Sequence, residues 1–264
     1  MIEDLVIQSF PQSKHIKKKG DNILADSFTP ITLKNILTLN GKAVMLGGSV
    51  VKAIDYPVKG DSIIMALDGT NAFHYRVLKN NGNIVEVVAQ IPLPNYLVFG
   101  DTNTYANSTL DLYLNTTYYN TLTETAKSAI VSKNIIQYQY TSDSSHYNST
   151  THNSYANYAT KSQKGIIGDR YIYALDVEDI EEYFNGTFGE TDMWKMLWDL
   201  DVQPDSYPLW LRSCVNTDNM DAYIINSTNG MIDNMSCEFN ARAHPAFCVD
   251  LNKIPFTKTM EVIS

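Results

Sequence analysis

From residue 56 onward, apolar positions recur in short runs separated by residues that favour tight turns. Asp61–Leu67 predicts a strand, Asp68-Gly69 a turn, Ala72–Leu78 a second strand, Asn80-Asn81-Gly82 another turn and Ile84–Ala89 a third strand. Asp-Gly and Asn-Gly supply the positive φ that hairpin turns demand, so these runs read as antiparallel neighbours. Two helices are expected next, because Ser108-x-x-Asp111 and Thr121-x-x-Glu124 both carry capping-box spacing. Leu122, Ala126, Ala129 and Ile130 line one face behind the second. Residues 138–164 hold almost no aliphatic side chain and read as a long exposed loop. Periodicity resumes with a strand over Tyr171–Leu175 and a short helix capped by Asp176, with Val177, Ile180 and Phe184 along one side. A further short helix is expected around Met193–Leu200. Strands over Leu209–Ser213, Ala222–Asn226 and Ala246–Leu251, with a turn at Thr228-Asn229-Gly230, complete one sheet that closes against the helix starting near Ser108.

Residues 1–55 differ. They carry the run Lys14-His15-Ile16-Lys17-Lys18-Lys19, Pro11, Pro30 and two β-like stretches, Ile31–Leu39 and Ala43–Ile54. So short a β-rich segment buries little apolar surface by itself, so it reads as an arm (1–55) for attachment or oligomerisation preceding a head domain (56–264). Equally open is that these strands extend the sheet of the head. Fold class on this evidence is α+β.

Charge narrows the partners. The formal net charge is −9 and only 19% of residues are charged, so the polar surface is largely Asn, Thr, Ser and Tyr. Gripping phosphate backbones needs clustered Lys and Arg, and one short basic run does not supply them; nucleic acid is not expected as a partner. The Asn/Tyr-rich surface suits extracellular and virion proteins, and biased codon usage explains it equally well. Met1-Ile2-Glu3-Asp4-Leu5 opens without an apolar signal core, and no apolar run reaches the roughly 18 residues that span a bilayer, so synthesis in a cytosol without membrane insertion is expected.

Candidate chemistry is sparse. Cys214, Cys237 and Cys248 form no CxxC pair; buried free thiols are the expected state, with a Cys237–Cys248 bridge open if two strands align them. His146 and His152 lack neighbours at metal-ligand spacing, and Asp199 with Asp201 sits in no calcium loop. Asp176, Glu178, Asp179, Glu181 and Glu182 are expected to spread around a solvated helix face. Nucleophile elbows, phosphate loops and dinucleotide fingerprints are missing, so neither catalysis nor a cofactor is expected. Tyr147, His152, Tyr155 and Tyr158 lie in the polar loop. Because long loops on rigid scaffolds carry recognition and Tyr gives contact area at low entropic cost, they are the candidate ligand contacts.

The most specific signal is Trp210-Leu211-Arg212-Ser213 followed by Arg242-Ala243-His244-Pro245-Ala246 and the strand to Leu251. Together with Phe73–Gly82 and the helix Ser108–Tyr119, this series resembles a family of uncharacterised domains widespread in Gram-positive bacteria and their phages, over roughly residues 57–252. Where that family has Arg-Pro-Ala, this chain inserts Ala243-His244. The family is similar to the C-type-lectin-like fold, which hosts phage receptor-binding proteins as well as formylglycine-generating enzymes. Trp210, Arg212, Arg242 and Pro245 are read as its structural motif, with Trp210 or Leu211 plugging the core and the planar donors of Arg212 bridging carboxylates or carbonyls.

The resemblance implies a bacteriophage virion component of fibre or decoration type, made in the host cytoplasm. It would be a homo-oligomer, with a trimer favoured, attached to other virion proteins through residues 1–55 and presenting a lectin-like head to host surface glycans. A bacterial cell-surface lectin-like module is the first rival. The second is an enzyme of the formylglycine-generating type, which needs a dedicated cysteine pair.

Overall fold

The computed structural model describes residues 56–141, 161–185, 196–197, 208–226 and 232–259. The arm (1–55), His146, Tyr147, His152, Tyr155, Tyr158, Asp199, Asp201 and the 228–230 turn lie outside them. Only Met196 and Leu197, both helical and buried, represent the helix expected around 193–200.

The architecture is α+β: largely antiparallel sheets with a few short helices. The first hairpins follow their turn residues. Strand β1 (Ser62–Met65) pairs with β2 (Phe73–Asn81), and β2 pairs with β3 (Ile84–Ala89). Gly69 and Gly82 stand at φ 79° and 73°, in the region that L side chains rarely adopt. Strand β12 (Ala246–Asp250) extends the sheet beyond β3, and β5 (Ile130–Val131) and β13 (Thr257–Thr259) edge it, giving the order β13-β1-β2-β3-β12-β5.

A second sheet has the order β10-β9-β8-β6-β7. It contains β6 (Lys133–Tyr140), β7 (Lys161–Arg170), β8 (Leu209–Val215), β9 (Asp221–Ile225) and β10 (Ile232–Ser236). All its pairings are antiparallel except β6 with β8. Strand β4 (Leu97–Val98) pairs separately with β11 (Asn240–Ala241). Trp210 and Phe247, expected in one closing sheet, therefore lie in different sheets. The stretch expected as loop from 138 is also shorter, since Tyr140 pairs with Lys161 and both strands run into it.

Residues 171–175 do not form the expected strand. Tyr173 exchanges backbone bonds with Ala246 of the first sheet, while Leu175 accepts from the Arg212 amide of the second, so this strap, buried from Ile172 on, serves two sheets instead of completing one. Trp210 N–H donates to the Arg242 carbonyl at 2.8 Å, a further tie at the start of β8. The core lies along these joints: Tyr75 meets Phe247 edge-on, Trp210 meets Phe99, and Tyr140 meets Tyr223, each at 5.4–5.9 Å between ring centres. Such pairs add about 1 kcal/mol each to the gain from area burial.

Helical segments sit between the sheets' strands in sequence. Ser108 caps α1 (Thr109–Leu112), accepting from the Asp111 amide at 3.1 Å, and the helix continues through a π turn (Tyr113–Tyr118) into α2 (Tyr119–Thr121). The second cap is Thr123 and not Thr121, which ends α2; Thr123 accepts from Ala126 N–H at the start of α3 (Glu124–Ala129). Asp176 and Asp179 form a complete capping box on α4 (Val177–Phe184), and Asn185 closes it in the left-handed region. Among the described residues no helix is long and apolar enough to cross a membrane.

Candidate functional site

The ends of β6 and β8 create an open polar cleft of about 430 Å³, lined by Gln139, Lys164, Val215 and the exposed turn Asn216–Asn219. Two irregularities in the β6–β7 pairing explain how Lys164 reaches it. Ile135 faces Gly168 but Ile136 faces Ile166, and Gln137 faces Gly165 but Tyr138 faces Gln163. Each shift leaves one residue of β7 without a cross-strand partner, first Ile167 and then Lys164. A bulge of this kind re-aims a side chain; here it sends the Lys164 ammonium to the side-chain oxygen of Asn103.

Asn103 builds the wall. It is fully buried, and its amide nitrogen donates to the carbonyls of Val215 (3.2 Å), Asp218 (2.6 Å) and Asp221 (3.0 Å). Two hydrogens serve three acceptors, so one bond is shared. Its backbone N–H holds the Asn219 carbonyl at 2.8 Å, and its carbonyl takes the Gln137 amide at 2.7 Å. Gln137, 2% exposed, passes its second proton to the Arg212 carbonyl. One neutral amide thus fixes the whole 215–221 turn, and the cleft it borders is lined by amides, a hydroxyl, one ammonium and one carboxylate.

A second constellation lies deeper. Asp176, Asp179 and Glu181 are buried, contrary to the expectation of a solvated acidic face. The N-cap residue precedes the helical turns, so Asp176 turns inward with Asp179 instead of joining the spread of the helix. The Arg212 guanidinium meets both: it donates to Asp179 at 2.6 Å, lies 3.6 Å from Asp176, and donates to the carbonyls of Ile136 (2.9 Å) and Ala174 (2.7 Å). Burial opposes the charge on Arg212, but Asp179 and Asp176 together hold its proton more tightly than usual. Burial raises the Asp176 carboxyl against the pull of Arg212, whereas Arg212 and then Lys133 overcome burial at Asp179 and lower it. Asp176 also accepts from Tyr140 hydroxyl and Tyr138 N–H at 3.3 and 3.2 Å, and Glu178 pairs with Lys161, so the N-terminus of α4 anchors both strands where the 141–160 segment leaves and returns.

Beyond this knot a cleft of about 270 Å³ is bordered by Lys79, Glu86, Asp179, Glu182 and Tyr183, among others. Its carboxylates are paired, Glu182 with Lys79 at 2.6 Å, Glu86 with Lys133 at 2.6 Å and Asp179 with Arg212, while the Lys59 ammonium donates to the Glu182 carbonyl at 3.2 Å and lies over the Tyr183 ring. Tyr173 hydroxyl donates to Glu86 at 2.8 Å, and burial pushes the phenol well above its ordinary value. Cys214, Cys237 and Cys248 are all free thiols; burial pushes Cys214 up to about 11 and Cys237 to about 12 and also raises Cys248. No Cys237–Cys248 bridge forms.

The motif residues fall in two places. Trp210 is 2% exposed and its indole N–H donates to Leu97 O at 2.7 Å. Arg242 meets it through the backbone, while its guanidinium lies over Tyr96, 4.8 Å from the ring centre. Pro245 is buried and its carbonyl accepts from Ala89 N–H. The inserted Ala243-His244 follows the same seam: Ala243 O accepts from Leu93, and the His244 ring contacts Ala89 O at 2.5 Å. Arg212 belongs to the knot instead. Sequence reading missed Asn103, Gln137, Gln139, Lys164 and 216–219. Two glutamines alternating with apolar residues over 135–140 were the available signal; Asn103, one Asn among many, offered none.

The sequence profile described as domain of unknown function (DUF6273) matches residues 95–251, more than half of the 264, and the chain belongs to that family. The match begins after β1–β3. No curated protein and no solved structure matches.

Proposed function

We propose that this member of the family is a non-catalytic binding head displayed on a bacteriophage particle, whose polar cleft at 139, 164 and 215–219 takes a neutral glycan of the host surface. The observation that carries the reading is the Asn103 arrangement. A buried amide, tied to three carbonyls, pre-forms a turn of exposed amides and a hydroxyl on a rigid sheet end, the mix of donors and acceptors that recognises polyhydroxylated ligands. Its one ammonium and one carboxylate balance, which disfavours phosphate-bearing polymers, as does the net charge of −9. The Tyr/Ser/Asn-rich sequence 142–160 joins the same hairpin and adds residues of the binding-loop type, among them Tyr147, His152, Tyr155 and Tyr158.

The C-type-lectin-like fold is the finer reading of the α+β architecture; the sequence resemblance supports it. The virion setting rests on that resemblance too, with residues 1–55 attaching the head to other virion proteins and assembling copies, a trimer favoured. A bacterial cell-surface lectin-like module would use the same cleft. The formylglycine-generating alternative is disfavoured because raised thiols resist the thiolate form that attack or metal binding uses.

The test is an array of immobilised neutral oligosaccharides built from N-acetylglucosamine, galactose, rhamnose and glucose, probed with the full chain. Binding that weakens at least tenfold in Asn216→Ala supports the reading. No retention on any member, or equal retention of the variant, removes it.

A further inference from the structure

The helix from Thr109 devotes three positions, four residues apart, to the last residue of β7 and the two that follow it. Asp111, 2% exposed, takes the Arg170 guanidinium through Nε at 2.8 Å and Nη2 at 2.9 Å. Asn115 exchanges two bonds with the backbone of Ile172, donating to its carbonyl at 2.8 Å and accepting its N–H at 3.2 Å. Between these clamps Tyr171 is laid flat on Tyr119, with ring centres 5.0 Å apart and planes 16° from parallel. Tyr171 nonetheless keeps 45% of its surface exposed. Tyr171 is thus stacked on one side while much of the residue stays open to water.

An aromatic ring gains stability by being covered, and here the fold fixes one in place on a residue that stays partly exposed. The turn beneath it is π-helical, a geometry enriched at functional sites. Both neighbouring cations are already neutralised: Arg170 by Asp111, and Lys127, which sits 5.9 Å from the Tyr119 ring centre, by Glu124 at 3.0 Å. The stacked pair is therefore flat and electron-rich, and these two cations bring no unpaired positive charge to it. Aromatic faces carry negative quadrupole density and attract weakly positive C–H groups. A pyranose ring presents such a face of C–H groups and no formal charge.

We infer that Tyr171, backed by Tyr119, is a stacking platform for one sugar ring of a neutral saccharide. The inference rests on the glycan reading of the head but uses none of the residues of the cleft, and it assigns the saccharide a second contact on the helix side of β7.

The full chain is titrated with the oligosaccharides of the array free in solution, by saturation-transfer NMR, alongside Tyr171→Ala, Tyr171→Phe and Asn216→Ala. Circular dichroism checks that each variant folds. Tyr171→Ala weakens binding roughly tenfold, Tyr171→Phe keeps it within about twofold because the ring and not the hydroxyl makes the contact, and the sugar C–H protons of one ring lose saturation in the alanine variant alone. If Tyr171→Ala binds as the parent does while Asn216→Ala weakens, the platform is wrong and the cleft reading stands. Should Tyr171→Ala change the sedimentation coefficient but not saccharide binding, the ring is a protein contact and the platform is overturned. A parent chain that binds none of the saccharides overturns both.

Discussion

Two side chains, Arg212 and Asn103, each gather several backbone carbonyls from separate segments, yet one builds a sealed knot and the other an open cleft. Arg212 is charged and 3% exposed, and the protein surrounds it with two carboxylates as well as carbonyls, because a buried cation without counter-charge is prohibitively costly. Asn103 is neutral, needs no counter-ion, and can be buried while the turn it holds stays in water. Charge is used where the chain must fix α4 against β8 and β6; neutral amides are used where an exposed turn must be held without creating a field. The lysine that does enter the cleft is delivered by a bulge and docked on the same amide.

That contrast is open to attack by mutation. Arg212→Met leaves Asp176 and Asp179 facing each other without their cation and should cost about 3–5 kcal/mol in urea unfolding. Adding Asp176→Asn and Asp179→Asn should restore most of it, since Asn still caps α4; no recovery would mean that packing, not charge, makes the knot essential. The pH axis comes next. Burial, aided by Arg242, lowers His244 to about 4 from 6.5, so between those values the unfolded chain binds the extra proton. Stability should fall by roughly 3 kcal/mol as the pH drops from 6.5 to 4, and the slope should flatten in His244→Gln. Asp176, raised, works against this trend as the pH falls, and Asp179, lowered, works with it, which is why the His244→Gln comparison isolates the histidine. Asn103→Ala removes a neutral donor from three carbonyls and should cost about 2 kcal/mol. Asn216→Ala trims an exposed side chain of the turn that Asn103 holds through backbone groups, so it should change stability by less than about 0.5 kcal/mol while lowering saccharide affinity.

The same two regions show what the sequence made legible. Strands β1–β3 were readable because Asp68-Gly69 and Asn81-Gly82 punctuate them, and α4 was readable because Asp176 precedes an apolar stripe of Val177, Ile180 and Phe184. The inward turn of Asp176 and Asp179 was not, since helical periodicity spreads acids around a cylinder and says nothing of an arginine 33 residues downstream of Asp179. Strands β6 and β7 escaped for a different reason. The alternation in β6 puts polar Gln137 on the buried side, opposite to what an amphipathic strand predicts, and β7 is an edge strand interrupted by Gly165, Gly168 and two bulges. The strap 171–175 has strand-like residues but divides its hydrogen bonds between two sheets, a choice visible only in three dimensions.

The decisive experiment is a ¹⁵N-correlated NMR titration of the full chain with whichever neutral saccharide the array selects. Shifts should gather at Gln139, Lys164 and Val215–Asn219, with the Asn103 side-chain amide moving and the amides around Asp176 and Arg212 still. Shifts centred instead on Glu86, Asp179 and Glu182, with 215–219 unmoved, would contradict the assignment of the cleft as the binding site.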